Sequence, residues 1–415
     1  MPACVRKKKA SVRTNKRLLC ILHKLFNLVC IKFKEVEPNS MTVYLDMSAT
    51  SPALPEVVEL MNKFFLEEFG NAGSRTHEFG ARAKKAVEHA RLQVADVIGV
   101  DKSEVIFTSG ATESNNLAIL GLKEFAIEHN KRHIVTTKIE HKAVLEPIEH
   151  LVKQGFEVTY LDIDESGIVR PEALKAALRD DTVLVSIMHV NNETGSIQPI
   201  NNLCDTMKDH DAYFHVDAAQ SYGKLSEELS NSRVDFISVS AHKIYGPMGV
   251  GALIMRRRDF TRPPLKPIMF GGGQERSLRP GTLPVPLIVG FGLACEIANK
   301  NAINWQKKAL KIKEKLIMEL DKLGAVYNGN NSSPFMVNFS IQGVNSEAAM
   351  VSLKGIAAVS NGSACTSSSY TPSHVLTAMG LSDDRISGAI RVSWSPMTDE
   401  IPALEIAEQL KRLKV

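Results

Sequence analysis

Hydrophobic and polar positions alternate along most of this chain in a way that predicts strands and helices in turn. Short apolar runs typical of buried strands occur as EVIFT, HIVTT, EVTYLD, TVLVSIMHV, YFHVD, VDFISVS and VGALIMR. Most are separated by helical stretches such as TESNNLAILGLKEFAIEH and PEALKAALR, whose apolar residues recur three and four positions apart. Strands that alternate with helices predict a wound α/β sheet, mainly parallel, that extends to about residue 260.

The pattern changes at both ends of this predicted sheet. Before it, a short strand, VYLD, is followed by a helical arm. After it, a Gly/Pro-rich segment leads into a long helix over residues 285–323 and a smaller α+β end that contains MVNFSI, SEAAMVSL and AIRVSWS. We therefore predict a large α/β domain over residues 55–297, and a small α+β domain built from residues 41–54 and 298–415.

Length and charge add one further segment to this division. The chain has 415 residues, 44% of them hydrophobic, which suffices for a large core. Residues 1–40 contain ten Lys or Arg and two Glu, a net charge of +8, so the rest of the chain carries −4 of the total +4. The apolar run LLCILHKLFNLVCIKF is interrupted by His23 and Lys24, which argues against a membrane span or secretory signal. We expect the folded protein to begin at Met41 after a disordered or non-native leader; a basic targeting helix is the alternative.

Cysteine usage points to a reducing compartment. The six cysteines, at positions 4, 20, 30, 204, 295 and 365, include no C-x-x-C pair, so the sequence predicts no metal site, no disulfide framework and a cytoplasmic location. Cys365 lies in SNGSACTSSS, a run of small polar residues typical of an exposed loop. These residues alone leave two interpretations open: a reactive thiol, or an incidental thiol in a surface loop.

Polar clusters follow five of the predicted strands: TSGATES, EHK, NNE, DAAQ and SAHK. Ligands of wound α/β sheets bind at the carboxyl ends of the strands, so the clusters predict one shared cofactor site. TSGAT runs into a helix, where free backbone N–H groups could hold a phosphate; an ordinary helix cap is the alternative. Asp217 in DAAQ suits a protonated ring nitrogen and Lys243 in SAHK suits an aldehyde, which together match pyridoxal phosphate. Taken singly, the two could be a capping aspartate and a surface lysine.

Longer motifs occur in a fixed order over residues 42–412: YLDMSAT, FTSGATESNNLAI, EHKAVL, MHVNNETG, HVDAAQ, SAHKIYGP, GGGQER, RPGTLP and SNGSACTSSS. In these motifs the chain resembles the NifS/IscS-type cysteine desulfurases, pyridoxal-phosphate enzymes of the class-V aminotransferase family. The resemblance implies a fold type I transferase, α/β with a smaller α+β domain, that forms a homodimer. It also implies that the protein converts L-cysteine to L-alanine and carries the sulfur as a persulfide on Cys365.

The resemblance further implies individual roles. Lys243 is expected to hold the cofactor's aldehyde, His141 to stack over its ring and assist proton transfer, and Cys365 to accept the sulfur. Asn192 and Arg391 are expected to bind the substrate carboxylate. The residues expected to bind the cofactor are Ala111, Thr112, Asn192, Asp217, Gln220, Ser240, His242 and Lys243, with Thr282 contributed by the other subunit.

The expected partner is a sulfur-acceptor protein: an iron–sulfur scaffold, a tRNA-thiolation component or a DNA-phosphorothioation component. Neither direct nucleic-acid binding nor membrane association is expected. Two other functions stay open, a selenocysteine or cysteine lyase of the same fold and a non-catalytic sulfur-relay subunit of a DNA-modification system. The SNGSACTS run argues against a lyase, because elimination needs no sulfur carrier. The presence of Lys243, Asp217 and Cys365 argues against a non-catalytic subunit.

Overall fold

The computed structural model describes residues 42–330, 332–362 and 371–414. Their strands are β1 (Val43–Tyr44), β2 (Val105–Thr108), β3 (His133–Thr137), β4 (Glu157–Leu161), β5 (Thr182–Ser186), β6 (Tyr213–Asp217), β7 (Phe236–Ser240), β8 (Gly251–Met255), β9 (Val326–Tyr327), β10 (Met336–Ser340), β11 (Ala357–Ala358) and β12 (Ile390–Ser393). Their α-helices are α1 (Pro55–Leu66), α2 (Glu78–Asp96), α3 (Ala111–Leu120), α4 (Lys123–Glu128), α5 (Lys142–Val152), α6 (Pro171–Ala177), α7 (Ile200–Thr206), α8 (Val285–Asp321), α9 (Ser346–Ser352), α10 (His374–Ala378), α11 (Asp383–Ser387) and α12 (Ala403–Leu413).

The main sheet has seven strands in the order β2, β8, β7, β6, β5, β3 and β4. Strands β4, β3, β5, β6 and β7 pair in parallel, whereas β8 is antiparallel to both β7 and β2. The prediction of a wound, mainly parallel α/β sheet is therefore confirmed. Strands β2, β3, β5, β6 and β7 are buried along nearly their whole length, as expected for a sheet covered by helices on both faces.

Two further sheets are formed by the chain ends. The antiparallel order β12, β10, β9 makes a three-stranded sheet, and β1 pairs in parallel with β11. Asp46 bridges to Ser393, the last residue of β12, so the first described segment is tied to the last strand. This contact brings the YLDMSAT motif next to Arg391, although 345 positions separate Asp46 from Arg391 in the chain.

The long helix α8 packs into two separate hydrophobic cores. Its first part, from Val285 to Cys295, belongs to the core beneath the main sheet. Its later part, from Ala309 to Leu320, belongs to the core around the three-stranded sheet, where Trp394 is 1% exposed. The predicted domain boundary between residues 297 and 298 falls within this helix and stays a prediction.

Several element boundaries differ from those that the pattern predicted. The stretch TESNNLAILGLKEFAIEH forms two helices, α3 and α4, because the chain turns at Gly121. A Cβ at Gly121 would lie 3.0 Å from the carbonyl oxygen of Lys266, so a larger residue would displace the segment that crosses there. Strand β5 ends at Ser186, earlier than the run TVLVSIMHV indicated, and the remaining residues enter the loop that leads to Asn192.

Among residues 42–330, 332–362 and 371–414, no helix is both long and apolar enough to cross a membrane.

Candidate active site

A cavity of about 540 Å³ opens at the carboxyl ends of β3, β5, β6 and β7, where the sequence predicted a shared site. Its wall contains the predicted residues His141, Ala111, Thr112, Asn192, Asp217, Gln220, Ser240, His242, Lys243 and Arg391. Residues from strand ends far apart in sequence therefore meet around one space. Thr282 is exposed and does not line this cavity, and Cys365 lies outside the described residues.

Lys243 reaches the cavity from a short 3₁₀ turn, Ala241–Lys243, that directly follows β7. Its Nζ donates hydrogen bonds to the carbonyl oxygen of Ala49, at 2.7 Å, and to that of Ser48. Gln220 also donates to the carbonyl oxygen of Ser48, at 2.9 Å. These hydrogen bonds fix the position of the Lys243 amine at the wall of the cavity.

Asp217 lies at the last position of β6, with its side chain at the floor of the cavity and 6% of the residue exposed. One carboxylate oxygen accepts from Asn115 Nδ2 at 2.7 Å, and the other accepts from the backbone N–H of Ala219 at 2.9 Å. These donors fix the orientation of the carboxylate in a buried position. Such a group can hold a protonated heterocycle nitrogen, which is what pyridoxal phosphate presents.

The buried groups behind Asp217 are neutral. Burial raises the pKa of Glu140 to about 8, and burial lowers the pKa of His215 to about 4. Glu140 accepts from the backbone N–H of Met188 at 3.1 Å, and His215 contacts the hydroxyls of Ser186 and Ser238 at 2.8 and 2.9 Å. At neutral pH neither side chain adds a charge beside Asp217.

Helix α3 begins at the rim of the cavity and presents its first backbone N–H groups there, at Ala111 and Thr112. Gly110 precedes the helix with φ = 152°, a conformation that favours glycine. Ser240 and His242 line the same region from the end of β7. Together these groups form a cradle that fits a phosphate.

His242 is neutral in this setting. Burial, assisted by the positive charges of Lys243 and Lys224, lowers its pKa to about 4. Its Nδ1 contacts the hydroxyl of Thr50 at 2.9 Å, which fixes the ring. A neutral imidazole can donate a hydrogen bond to an anion from its other nitrogen, provided that Nδ1 is the acceptor for Thr50.

Arg391 projects from β12 and is buried, with 4% of the residue exposed. Nη1 donates to the carbonyl oxygen of Asn192 at 2.8 Å, and Nη2 donates to Asp46 Oδ1 at 2.5 Å. Nε of Arg391 has no hydrogen-bond partner among the described residues. A buried donor of this kind is suited to hydrogen-bond an anion in the cavity.

His141 caps helix α5, and its Nδ1 accepts from the backbone N–H of Ala143 at 3.1 Å. This bond places the ring proton on Nε2. His141 also lines a second cavity of about 830 Å³ that adjoins the first. Gly362 and Thr371, the described residues on either side of Cys365, both line this second cavity.

Four residues in and around the site are not among those predicted from the sequence: Asp46, Ser48, Asn115 and Lys224. Asp46 and Ser48 lie in YLDMSAT, and the polar end of that strand was a usable signal. Asn115 follows Ala111 by four positions, so one helical turn brings its side chain back toward the sheet. The sequence contains no comparable signal for Lys224, because a lysine that follows a turn is normally exposed to solvent.

Comparison with known proteins agrees with this geometry. The profile of the class-V aminotransferase family matches residues 43–401. The cysteine desulfurase IscS of Vibrio campbellii is 46% identical over 376 residues, which cover 89% of this chain and 92% of the relative. The mitosomal cysteine desulfurase of Trachipleistophora hominis is 44% identical over 376 residues, which cover 88% of this chain and 85% of the relative.

Solved structures give the same result. A NifS-like protein superposes with a TM-score of 0.81 at 39% identity, covering 90% of this chain and 98% of that chain. SspA in complex with cysteine superposes with a TM-score of 0.76 at 38% identity, covering 86% of this chain and 99% of that chain. The chain belongs to the class-V aminotransferases and, within them, to the cysteine desulfurases of the NifS/IscS type. Its fold is accordingly that of the fold type I pyridoxal-phosphate enzymes, as predicted.

Proposed function

We propose that this protein is a pyridoxal-phosphate-dependent cysteine desulfurase that converts L-cysteine to L-alanine and transfers the sulfur through Cys365 to an acceptor protein. The observation that carries the proposal is the single cavity in which Lys243, Asp217 and Arg391 meet. An amine, a carboxylate suited to a ring nitrogen and a guanidinium suited to a carboxylate are the three groups that such a reaction needs.

The described residues offer a group suited to each part of the cofactor. The start of α3 at Ala111 and Thr112, with Ser240 and His242, would hold the phosphate, and Asp217 would hold the ring nitrogen. His141 and Gln220 line the space between them. When bound, pyridoxal phosphate supplies an electron sink for the electron pair left on the substrate's α-carbon after deprotonation.

The remaining chemistry belongs to the side chains. Arg391 and Asn192 hold the substrate carboxylate, and the Lys243 amine moves the α-proton. The Cys365 thiolate attacks the substrate sulfur, so one S–S bond forms and one C–S bond breaks. The electron pair of the C–S bond stays on carbon, which takes up a proton and becomes the methyl group of alanine, so the transfer needs no external oxidant or reductant.

The larger cavity supports a role for the Cys365 segment. Gly362 lines both the 540 Å³ and the 830 Å³ cavities, and Thr371 lines the larger one. Ser373, two residues further on, donates to Glu193 Oε2 at 2.5 Å, and that carboxylate also lies beneath Gly362. Gly362 and Thr371, the described residues that flank the Cys365 segment, therefore both lie at the wall of the larger cavity.

A homodimer is part of the proposal. Ile268, Met269 and Phe270 are 37%, 43% and 86% exposed and belong to the same Gly/Pro-rich segment as Thr282. A second exposed apolar group lies at the end of α1, where Leu66 is 75% exposed. Exposed apolar surface of this kind is typical of subunit interfaces. With a partner subunit bound there, Thr282 of one subunit would lie at the phosphate-binding residues of the other.

Replacing Thr282 with alanine is expected to weaken cofactor binding about tenfold, the effect of losing one hydrogen bond to a charged group. The measurement is the dissociation constant of pyridoxal phosphate. Mixed dimers of Thr282→Ala and Lys243→Ala subunits then test the placement. If Thr282 acts across the interface, one site in each mixed dimer keeps both residues and about half of the wild-type activity remains. No recovery over the separate variants would contradict action in trans.

Replacing Arg391 with lysine is expected to raise KM for L-cysteine by at least about tenfold while kcat changes less, because lysine keeps the charge but loses the planar fork. Steady-state kinetics checks this prediction. Arg385→Lys is the matched control, since Arg385 bonds Asn328 and Tyr327 and does not line the cavity. An unchanged KM in Arg391→Lys would show that the guanidinium does not bind the substrate.

The proposal is tested by incubating the purified protein with pyridoxal phosphate and L-cysteine and measuring alanine together with released sulfide under reducing conditions. Equal amounts of both products are expected. Alanine formed from L-selenocysteine but not from L-cysteine would favour a selenocysteine lyase, and no product from either would favour a non-catalytic relay subunit.

The proposal also concerns the protein that accepts the sulfur and the cellular compartment of the enzyme. A persulfide on Cys365 can supply an iron–sulfur scaffold, a tRNA-thiolation component or a DNA-phosphorothioation component, since each of these routes can start from the outer sulfur of the same persulfide. We keep the cytoplasm as the proposed location, while one relative carries the name of a mitosomal enzyme.

A further inference from the structure

An ion pair lies beside the proposed phosphate-binding residues, and the mechanism above does not use it. Glu113 is in the first turn of helix α3, next to Thr112, and its carboxylate pairs with Arg279. Arg279 comes from the Gly/Pro-rich segment that also contains Thr282. The side chains of Glu113 and Arg279 are 13% and 21% exposed, so both are largely shielded from solvent. Charges at this depth act on their surroundings more strongly than exposed charges do, because salt screens them less.

The Glu113 carboxylate holds the loop in front of helix α3. Its Oε2 accepts from the backbone N–H of Ser109 at 2.8 Å, and its Oε1 accepts from Arg279 Nε at 2.9 Å. Arg279 Nη2 donates to Oε2 over a longer distance of 3.4 Å. Ser109 and Thr112 both line the 540 Å³ cavity. The hydrogen bond to Ser109 therefore fixes the loop that leads into the first turn of the helix.

A carboxylate at this position carries a charge of the wrong sign for a phosphate site. Burial alone would raise the pKa of Glu113, but hydrogen bonds from Arg279 and Ser109 outweigh burial and lower it. Glu113 is therefore ionised at neutral pH. Its negative charge would repel a phosphate bound at Ala111 and Thr112. The guanidinium of Arg279 supplies a compensating positive charge.

We propose that Arg279 is a positioning residue for the cofactor phosphate: it holds Glu113 against the loop at Ser109 and cancels the charge of that carboxylate, so that the start of α3 still attracts the anion. The inference rests on the proposed function, because that proposal makes Ala111 and Thr112 the residues that hold the phosphate. Neither Arg279 nor Glu113 lines the 540 Å³ cavity, so both act from behind the loop rather than by touching the cofactor.

The test is the affinity of the full chain for pyridoxal phosphate after its cofactor has been stripped, measured from the visible band of the bound cofactor. Arg279→Met is expected to raise the dissociation constant about tenfold, because an uncompensated carboxylate is then left beside the phosphate-binding residues. Adding Glu113→Gln to Arg279→Met is expected to restore the affinity to within about threefold of the wild type. Glutamine removes the charge and keeps an oxygen that can accept from Ser109.

Pyridoxal, which lacks the phosphate, separates an effect of charge from damage to the rest of the site. Its dissociation constant should differ by less than about twofold between Arg279→Met and the wild type, because it carries no anionic group to be repelled. A loss of affinity for pyridoxal equal to that for pyridoxal phosphate would overturn the inference.

Arg276→Met is the matched control for loss of an arginine from the same segment. Arg276 donates to the carbonyl oxygen of Val105 at 3.2 Å, and Val105 is at the start of β2, whereas the cavity lies beyond the other end of that strand. The affinity of this variant for pyridoxal phosphate should equal that of the wild type.

An Arg279→Met variant with wild-type affinity for pyridoxal phosphate would overturn the inference and leave the proposed function standing. A double variant that binds as weakly as Arg279→Met would do the same, since it would indicate a structural role for the arginine. If the wild type itself binds no pyridoxal phosphate, the proposed function fails as well. Should Arg279→Met not fold, Glu113→Gln decides: it should bind pyridoxal phosphate at least as tightly as the wild type, and weaker binding would contradict the inference.

Discussion

Replacing Lys243 with alanine is expected to abolish turnover of L-cysteine and the visible absorbance of bound pyridoxal phosphate. Lys243 Nζ donates to the carbonyl oxygens of Ser48 and Ala49 at the cavity. In the proposed mechanism both the bond to the cofactor and the movement of the α-proton depend on this atom. Alanine release should fall by at least about a thousandfold, an increase of about 4 kcal/mol in the barrier. The measurements are the spectrum of the purified variant and its rate of alanine formation.

The melting temperature of the Lys243→Ala variant should distinguish a loss of catalysis from a loss of folding. Lys243 donates to the backbone carbonyls of Ser48 and Ala49 at the edge of the cavity and not to a side chain of the hydrophobic core, so the melting temperature should change little. Lys266→Ala is a suitable control, because Lys266 is exposed and its contact with Glu124 is a long surface pair at 4.0 Å. A Lys243→Ala variant with a normal visible band and normal alanine release would show that Lys243 neither bonds to the cofactor nor takes part in the reaction.

The second large effect is expected for Cys365→Ser. Serine is similar in size but cannot carry a persulfide, so cofactor and substrate should still bind while sulfur transfer stops. Desulfuration should fall by at least about a hundredfold, equivalent to about 2.7 kcal/mol. Because the sequence around Cys365 is typical of an exposed loop, the free energy of unfolding should change by less than about 1 kcal/mol.

Cys204 provides the control for this variant. It is a buried thiol, 2% exposed, and burial raises its pKa to about 12, so it has no thiolate to offer at neutral pH. Cys204→Ala should therefore keep its desulfurase activity. Near-normal sulfide and alanine release from Cys365→Ser would contradict the nucleophile role, and a large loss of stability would favour a structural thiol instead.

Much of the fold and the site could be predicted because the relevant signals are local. The parallel strands are short apolar runs, and polar residues follow several of them at the same sheet edge, so the sequence alone predicts that Asp217 and Lys243 share one site. Ten residues predicted from the motifs line the 540 Å³ cavity. Their individual roles stay predictions until they are tested by substitution.

The parts that were not predicted depend on contacts between distant positions. The ion pair of Asp46 with Arg391 forms only because β1 and β12 are brought together by the small sheets. The burial of Lys224 depends on helix α8, whose Gln306 lies 82 positions further along the chain. It also depends on Phe335, which is more distant still. The break between α3 and α4 likewise follows from the segment that passes Gly121. Local periodicity contains no information about any of these contacts.

The most direct test of the central claim is mass spectrometry of the peptide that contains Cys365 after a single turnover with sulfur-labelled L-cysteine and no acceptor. The predicted result is one labelled sulfur added to Cys365, in an amount equal to the alanine formed. Alanine without labelled sulfur on Cys365, or labelled sulfur on a different cysteine, would contradict the claim that this protein is a desulfurase acting through Cys365.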